Sequence, residues 1–520
     1  MFIIIFLLGG MKIEKEKYYI TTAIAYTSGK PHIGNTYDVV LADAIARFKK
    51  LQGYDVYFQT GTDEHGIKIQ EKAEIAGIQP KEYVDKIARE VKEMYDALDV
   101  QYDMFMRTTD EDHERIVKKI FQKMYDNGDI YKGEYNGLYC TPCESFWTES
   151  QLVDGMRPDC GREVHPQVEE CYFFRLSKYQ DRLEDLFQNH PDFLKPESRV
   201  KEMYNNFIAP GIQDLCVSRT SFSWGIPVDF DSKHVVYVWL DALTNYITKI
   251  GYDPDGSSEL FYKLWPADLQ VIGKDIVRFH SIYWPCFLWS LGLELPKKIF
   301  GHPWLLMGLD KMSKSRGNII YADDYVDEFG VDAVRYYLLH EISQTNDGNI
   351  TRELFIDRVN TDLANVLGNL VQRTISMGNK YFDGHVTNKK VLSEEDTEFV
   401  KAIQNLYSKV EEGIDQLQIA EAFDEIFKVL RLSNKYIDVT TPWALAKDEI
   451  LKDRLETVLY HLLEAIRVCG RLLSPFMPST SQKIEDQLGN SLEILTYVED
   501  NSYDLNQPEA LFQRIEVEKK

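Results

Sequence analysis

The sequence predicts an α/β fold: a doubly wound parallel-sheet domain that carries a connective insertion and is followed by an all-α bundle. Over residues 18–66 a strand, a turn, a helix and a second strand follow one another, as in nucleotide-binding parallel sheets. Core-strand patterns return after residue 233, so the residues in between interrupt one sheet. Beyond residue 351 strand signals almost vanish and amphipathic helices succeed one another, which predicts the bundle.

Length and charge limit the classes of protein that the chain can be. A chain of 520 residues has room for about two to four domains and a large core. Its 59 basic and 83 acidic residues give a net charge of −24, which disfavours a protein that works by unspecific contact with nucleic acid. A specific RNA partner stays compatible with this charge if the basic residues are local.

The first ten residues, MFIIIFLLGG, predict neither a membrane span nor a signal peptide, because the run is short, lacks a basic leading region and has no cleavage pattern. We expect residues 1–10 to be an over-extended start, with Met11 as the true one; a short secretory leader is the alternative. The seven cysteines are an odd number, which disfavours a disulfide framework. We therefore expect a cytoplasmic protein with no membrane partner.

The N-terminal stretch predicts a phosphate-binding turn. A strand over 18–25 runs into a turn rich in glycine and proline, and apolar residues then recur at helical spacing over 33–48. The N-terminus of such a helix directs free N–H groups and a positive dipole end at a bound phosphate. A second strand over 56–59 leaves Asp63 near its carboxyl end, where doubly wound sheets bind their ligands.

Composition and hydrophobic periodicity divide the rest of the chain into segments. We expect helices over 67–76 and 81–98, a loop-rich aromatic insertion with a strand over 171–176, and core strands over 235–240, 269–273 and 299–306. The predicted domains are the over-extended start (1–10), the first half of the catalytic domain (11–126), the connective insertion (127–232), the second half of the catalytic domain (233–307), a lysine-bearing loop region (308–355) and the helical domain (356–520).

Two short motifs carry residues suited to phosphate chemistry. His32 can donate a hydrogen bond to a phosphate oxygen, and Gly34 permits close approach of the backbone. In the loop DKMSKSRGN, Lys311 and Lys314 can close over a polyphosphate and neutralise leaving pyrophosphate. Taken singly, a surface histidine and a solvated basic loop are the alternative interpretations, and the pairing of the two motifs disfavours them.

Five motifs, in this order, resemble those of the methionyl-tRNA synthetases, a family of class I aminoacyl-tRNA synthetases. They are YITTAIAYTSGKPHIGN, GTDEHG, VYVWLDALTNY, VIGKDIVRFH and KMSKSRGN, and the resemblance runs from about Tyr18 to the end of the chain. Asn35 stands where many members carry histidine, and both side chains can donate to phosphate. The resemblance implies a Rossmann-type catalytic domain, an anticodon-binding helical domain, and a bacterial type without the C-terminal tRNA-binding dimerisation module, hence a monomer.

The family joins methionine and ATP, with Mg²⁺, into methionyl-adenylate and pyrophosphate, and transfers the methionyl group to the 3′ end of initiator and elongator tRNA(Met). By resemblance the catalytic residues are His32, Asn35, Lys311 and Lys314. The ATP-binding residues are Pro31, His32, Gly34, Asn35, Gly273, Lys311, Ser313 and Lys314. The methionine-binding residues are Ala23, Ile24, Tyr26, Asp63, Trp239, Ala242, Tyr246, Ile276, Phe279 and His280, with Asp63 on the ammonium group. Taken singly, Trp239 and Phe279 would be read as core packing.

Polar residues in the helical region form a candidate site for RNA. Asn365, Asn369 and Arg373 lie at four-residue steps, which predicts one helix face. The resemblance implies that Asn369, Arg373 and Trp443 read the CAU anticodon, since unpaired bases are bound by stacking and edge hydrogen bonds. A polar face that is merely solvated is the alternative.

Cys140, Cys143 and Cys160 resemble part of a zinc knuckle. Many relatives carry a further cysteine at the position of Arg157, so three thiols remain, with His165 as the candidate for a fourth ligand. A tight turn that keeps its shape without metal is favoured over a structural Zn²⁺.

Two rival interpretations compete with the resemblance. Sister synthetases for valine, isoleucine and leucine generally carry a large editing domain, for which an insertion of roughly 100 residues has no room, and the cysteine enzyme needs thiol ligands that are missing near Asp63 and Trp239. A non-catalytic RNA-binding relative would have lost the chemistry, and the intact His32 and Lys314 argue against it.

Overall fold

The computed structural model describes residues 15–140, 145–147, 152, 156, 163–308, 310–312, 319–343, 345–489 and 493–516. The strands are β1 Lys17–Thr22, β2 Ala25–Tyr26, β3 Asp55–Asp63, β4 Met104–Arg107, β5 Ile130–Cys140, β6 Ser145–Trp147, β7 His165–Phe174, β8 Leu194–Lys195, β9 Leu215–Cys216, β10 Ser218–Arg219, β11 Val235–Val236, β12 Leu269–Gly273, β13 Ile299–His302, β14 Leu305–Met307, β15 Asp310–Lys311, β16 Gly348–Asn349, β17 His385–Thr387 and β18 Ser502–Asp504. The helices are α1 Tyr37–Leu51, α2 Ile67–Ala76, α3 Pro80–Ala97, α4 Glu111–Asp126, α5 Gln180–Asn189, α6 Glu197–Met203, α7 Val238–Thr248, α8 Glu259–Leu264, α9 Trp284–Leu291, α10 Ala322–Phe329, α11 Val331–Glu341, α12 Arg352–Arg358, α13 Asn369–Phe382, α14 Glu394–Gln404, α15 Leu406–Asp415, α16 Ile419–Thr440, α17 Pro442–Leu445, α18 Lys452–Leu473 and α19 Pro478–Leu488.

A seven-stranded parallel sheet forms the centre of the N-terminal part of the protein. Its strand order is β2-β3-β1-β12-β13-β8, with β4 paired to β3, and every pair is parallel. Residues 19–22 of β1 are buried, as their aromatic and β-branched composition predicts. Strand β1 lies between β3 and β12, so the carboxyl ends of these three strands meet at one edge, where doubly wound sheets bind ligands. The predicted doubly wound sheet is confirmed.

Two predicted strands differ from the structure. The strand expected over 299–306 is divided into β13 and β14, which belong to different sheets, and the strand expected over 235–240 is wrong. Residues 235–240 were expected to form a core strand, but β11 ends at Val236 and helix α7 begins at Val238. Nearly every residue of α7 is buried, so the stretch lacks the polar face that marks a helix in sequence. As a result Trp239 projects from a helix.

The predicted insertion contains a long antiparallel hairpin. Strands β5 and β7 pair from Ile130↔Phe174 to Tyr139↔His165. The strand expected over 171–176 is the end of β7, which stops at Phe174. Strand β8, in the same stretch of chain, pairs with β13 and so forms an edge of the catalytic sheet.

The C-terminal third is helical, as predicted. Helices α13 to α16, α18 and α19 form the bundle, and the short antiparallel pair of β17 and β18, which are distant in sequence, is an addition that the sequence did not predict. The helix expected through Asn365 and Arg373 begins as a π-helix over Val359–Gly368 before α13. Within the described ranges, no helix combines the length and the apolar character needed to cross a bilayer.

Gly61 permits the close approach of β3 and β4. A Cβ atom at Gly61 would lie 2.0 Å from the carbonyl oxygen of Met106. Overpacking of this kind costs about 1–3 kcal/mol. We therefore expect Gly61→Ala to lower the thermal unfolding midpoint, measured by circular dichroism. Glu71→Ala, on the exposed side of α2, is the control, and equal midpoints for the two variants would contradict this account.

Candidate active site

The turn before α1 orders its own histidine. Residues Ile33–Asn35 form a single 3₁₀ turn that His32 caps: the Gly34 N–H donates to His32 Nδ1 at 3.1 Å, and the His32 N–H donates to Asn35 Oδ1 at 3.2 Å. Because Nδ1 accepts, the neutral ring carries its proton on Nε2, which is then the donor. A Cβ at Gly34 would lie 3.1 Å from the His32 ring, a tight contact, so a larger residue here would press on the histidine.

The lysine-bearing loop is anchored beside this turn at both ends. Before the loop, β14 pairs with β15, and a Cβ at Gly34 would lie 3.5 Å from the carbonyl oxygen of Leu305 in β14. After the loop, the Ile320 carbonyl accepts from the Ile33 N–H at 2.8 Å. Lys30 and Asp323 add an ion pair at 2.5 Å. The fold therefore holds the ends of the loop against the turn.

Three of the predicted ATP-binding residues are described only in part or not at all. Lys311 is described by its backbone, as the last residue of β15. Ser313 and Lys314 lie outside the described residues.

Asp63 ends β3 at the carboxyl edge of the sheet. It pairs in register with Tyr26, and its carbonyl accepts from the N–H and Oγ1 of Thr27 at 3.0 Å each. Asp63 is 9% exposed. Ala23 and Ile24 join β1 to β2 at the same edge, and the Ala23 N–H continues the ladder to Val271 at 3.0 Å. The residues predicted for one wall of the pocket are thus adjacent to Asp63.

Aromatic residues of two helical segments form a stack that borders the same hydrophobic cluster as Ala23. The rings of Trp239 and Phe279 stack with centroids 3.7 Å apart and an interplanar angle of 6°. Both residues are only partly buried, which argues against the interpretation as plain core packing. Their segments are α7, which also carries Ala242 and Tyr246, and the π-helix Phe279–Tyr283, which follows Ile276.

His280 is held as a neutral side chain. Burial lowers the pKa of His280 to about 4. Its Nδ1–H donates to the Ile276 carbonyl at 3.0 Å, and Nε2 accepts from the Tyr246 hydroxyl at 2.7 Å. A neutral ring in a pocket of apolar and aromatic walls suits a thioether side chain.

Behind Asp63 lies a buried charged cluster that the sequence analysis did not identify. Asp241 Oδ2 contacts His65 Nδ1 at 2.8 Å, and its Oδ1 contacts His113 Nε2 at 2.7 Å. Burial alone would lower the pKa of His65, but Asp241, with Glu114 at 3.5 Å, raises it to about 10. Despite burial, the charge of His65 also holds the pKa of Asp241 below its usual range. The motifs GTDEHG and WLDAL contain His65 and Asp241, but their contact depends on the fold.

Glu64, the residue after Asp63, is held by a second set of hydrogen bonds. Its carboxylate accepts two hydrogen bonds from Arg107, at 2.6 and 2.8 Å, and one from the Thr62 hydroxyl at 2.6 Å. The indole N–H of Trp224 donates to the Glu64 carbonyl at 2.6 Å. Glu64 is fully buried, so this pairing orders the chain next to Asp63.

The residues predicted to read an anticodon lie on the bundle. Trp443, in α17, is 43% exposed. Asn369 is exposed and Arg373 partly buried, both in α13, and Asn365 is exposed in the π-helix before it. An exposed tryptophan is available for stacking on an unpaired base.

The predicted cysteine site falls on residues that the structure does not describe. Cys143, Arg157 and Cys160 lie outside the described residues, and Cys140 is described by its backbone alone. His165 is described and begins β7. Among the described residues, one group, Glu170, Asp231 and His234, is close enough to hold a metal ion. Lys132 Nζ lies 2.9 Å from Glu170 and 2.7 Å from Asp231, so an ammonium group already pairs with these carboxylates.

Comparisons with known proteins agree with this geometry. The family model described as "tRNA synthetases class I (M)" matches residues 18–171 and 160–375, and that described as "Anticodon-binding domain of tRNA ligase" matches residues 396–519. The fold, the carboxyl-edge site and these matches define a class I aminoacyl-tRNA synthetase.

The relatives identify the amino acid that this synthetase activates. Methionine–tRNA ligase of Clostridium acetobutylicum is 54% identical over 514 residues, which are 98% of this chain and 79% of that protein. The enzyme of Clostridium perfringens is 57% identical over 478 residues, 92% of this chain and 74% of that protein. The structure of Mycobacterium tuberculosis methionyl-tRNA synthetase in complex with methionyl-adenylate matches with a TM-score of 0.91 and 42% identity, covering 96% of this chain and 100% of that one. The chain belongs to the methionyl-tRNA synthetase family: it activates methionine with ATP and charges tRNA with it.

The His65 cluster predicts a pH dependence of stability. The pKa of His65 rises from 6.5 to about 10 on folding, so its contribution is complete below about pH 6.5 and is lost as the pH rises towards 10. We expect the difference in thermal midpoint between wild type and His65→Gln to shrink steadily over this range. His190→Gln, at an exposed histidine, is the control and should differ little from wild type at any pH. A difference for His65→Gln that is constant with pH would contradict the assignment.

Proposed function

We propose that the turn and the lysine loop act together on the phosphates of ATP, bound as its magnesium complex. His32 and Asn35 contact phosphate oxygens, Pro31, Gly34, Gly273 and Ser313 complete the ATP site, and Lys311 and Lys314 close over the α-phosphate and the leaving pyrophosphate. The anchoring of the loop at Ile320 against Ile33 is the observation that supports this assignment. Charge stabilisation by positioned donors is the expected source of rate enhancement.

The reaction then needs no covalent bond to the protein. A carboxylate oxygen of methionine attacks the α-phosphorus of ATP, the bond to the bridging oxygen breaks, and pyrophosphate leaves. The 3′-terminal hydroxyl of the tRNA next attacks the methionyl carbonyl carbon, and AMP leaves. Positioning of the two reactants is the main task of the protein.

Methionine occupies the pocket between Asp63 and the stacked Trp239 and Phe279. Asp63 holds the ammonium group. Ala23, Ile24, Tyr26, Ala242, Tyr246, Ile276, Phe279, His280 and Trp239 surround the side chain. The observation that supports this pocket most directly is that Ala23, Trp239, Ile276 and Phe279 all pack, partly buried, against one hydrophobic cluster, while Asp63 lies at the same carboxyl edge as Ala23.

Methionine-dependent ATP–pyrophosphate exchange tests this pocket. We expect exchange with methionine but little with valine or leucine. Asp63→Asn should raise the KM for methionine roughly 10- to 100-fold, because it replaces a charge-assisted hydrogen bond by a neutral one. Asp55→Asn, at the opposite end of β3, is the matched control and should keep the wild-type KM. Equal KM values for the two variants would overturn the role of Asp63.

The bundle binds the anticodon of tRNA(Met), initiator and elongator alike, through Asn369, Arg373 and Trp443. The match of residues 396–519 to an anticodon-binding domain and the exposure of Trp443 support this role. The domain boundaries given above, a cytoplasmic location and a monomeric state remain predictions, and light scattering of the purified protein tests the last.

Trp443→Ala should separate charging from activation. Loss of stacking on one base, worth about 1–3 kcal/mol, should raise the KM for tRNA roughly 5- to 150-fold, and pyrophosphate exchange should stay at its wild-type rate. Val439→Ala removes another exposed apolar side chain nearby in sequence and serves as the control. If exchange and charging fell by the same factor, Trp443 would be structural.

A further inference from the structure

The guanidinium group of Arg335 joins three separate parts of the chain. Its Nε donates to the Phe476 carbonyl at 2.8 Å and its Nη2 to the Pro475 carbonyl at 3.0 Å, in the loop between α18 and α19. Its Nη1 donates to the Leu98 carbonyl at 3.0 Å, just after α3. Its Nη2 also donates to Asp43 Oδ2 in α1 at 2.7 Å. One side chain of α11 thus connects the anticodon-binding bundle to the catalytic sheet.

Asp43 supplies the counter-charge for this group. Both side chains are fully buried. Asp43 also accepts from Arg47 Nε at 2.8 Å and from the Gln101 N–H at 2.9 Å, so its two oxygens are engaged. Separating a buried charge from its partners is strongly unfavourable. The α18–α19 loop therefore cannot shift relative to α1 without breaking this arrangement.

Two further polar contacts with the bundle, made by the end of α1 and by the residue after it, are nearer the surface. Lys49 Nζ lies 2.7 Å from Asp415, and Gln52 Nε2 donates to Glu411 at 2.8 Å. The Asp415 side chain is 51% exposed, and exposed pairs of this kind contribute little. The Arg335–Asp43 pair is therefore the stronger of these connections.

The two helices that Arg335 connects, α1 and, through the loop after it, α18, each lie next to a region with a proposed function. Helix α1 begins directly after the His32–Asn35 turn. Helix α18 contacts α17, which carries Trp443, and spans 22 residues, about 33 Å, before the loop that contains Pro475. A rigid helix and a buried ion pair thus join the proposed anticodon face to the ATP-binding turn.

We propose that the Arg335–Asp43 pair is a positioning element for tRNA charging: it transmits correct anticodon binding at α17 to the His32–Asn35 turn through α18 and α1. The inference rests on the proposed anticodon-binding role of the Trp443 face. Arg335 touches no substrate. Its effect is on the rate of charging once tRNA is bound, while the contacts at the anticodon set the affinity.

The test compares charging of tRNA(Met) with charging of the same tRNA carrying one changed anticodon base. For each enzyme, the ratio of the two kcat values, measured at saturating tRNA, and the ratio of the two KM values are determined. Arg335→Lys keeps the charge but loses the fork of donors. We expect it to lower the kcat ratio at least roughly 5-fold towards one, and to leave the KM ratio within about twofold of wild type.

Two further variants keep the test decisive. Asp43→Asn removes the counter-charge at the other end of the pair and should reproduce the change in kcat ratio even if Arg335→Lys does not fold. Arg352→Lys breaks the fork of an exposed pair with Glu328 and should leave both ratios unchanged. Methionine-dependent exchange without tRNA measures the integrity of the catalytic site in each variant.

The outcomes separate the inference from the function on which it rests. If wild type discriminates the anticodon in kcat and both variants keep that ratio, the inference is wrong and the proposed function stands. Equal losses in exchange and in charging of both tRNAs, with the kcat ratio retained, would show a structural role and also overturn it. If wild type charges both tRNAs alike, the proposed anticodon face itself fails.

Discussion

Parallel pairing of β1 with β3 on one side and β12 on the other is the constraint on which the site depends. Parallel strands bring their carboxyl ends to the same edge of the sheet. Asp63, the turn at His32 and the end of β12 at Gly273 therefore lie at one edge, although they are far apart in the sequence. Among the described residues, β5 and β7 pair in a sheet of their own, and the helical bundle adds no strand to the parallel sheet.

The charges behind this edge are paired, and the pocket wall beside them is neutral. Asp241 is satisfied by His65 and His113, while burial keeps His280 uncharged. In the proposed methionine pocket this separation matters, because a buried unpaired charge would favour polar ligands and water over a thioether. The cluster thus stabilises the segment next to Asp63 without adding charge to the aromatic side of the pocket.

An acidic protein can still recognise RNA when the contacts are local. The net charge of −24 belongs to the whole chain, whereas an anticodon is read by a few side chains on one domain. The buried contact between Arg335 and Asp43 gives that domain a fixed position on the sheet. The two domains are consequently linked by an ion pair that solvent does not screen.

The sequence alone determined the fold class, the strands that build the site edge, the helical C-terminal third and the family, because these depend on local periodicity and on short motifs. It misassigned residues 235–240, since a helix buried on all sides has no polar period. The pairing of Asp241 with His65, and that of Arg335 with Asp43 across 292 residues, was decided by tertiary structure. Such contacts follow from how the sheet and the bundle pack, and no local pattern in the chain encodes which distant charges will meet.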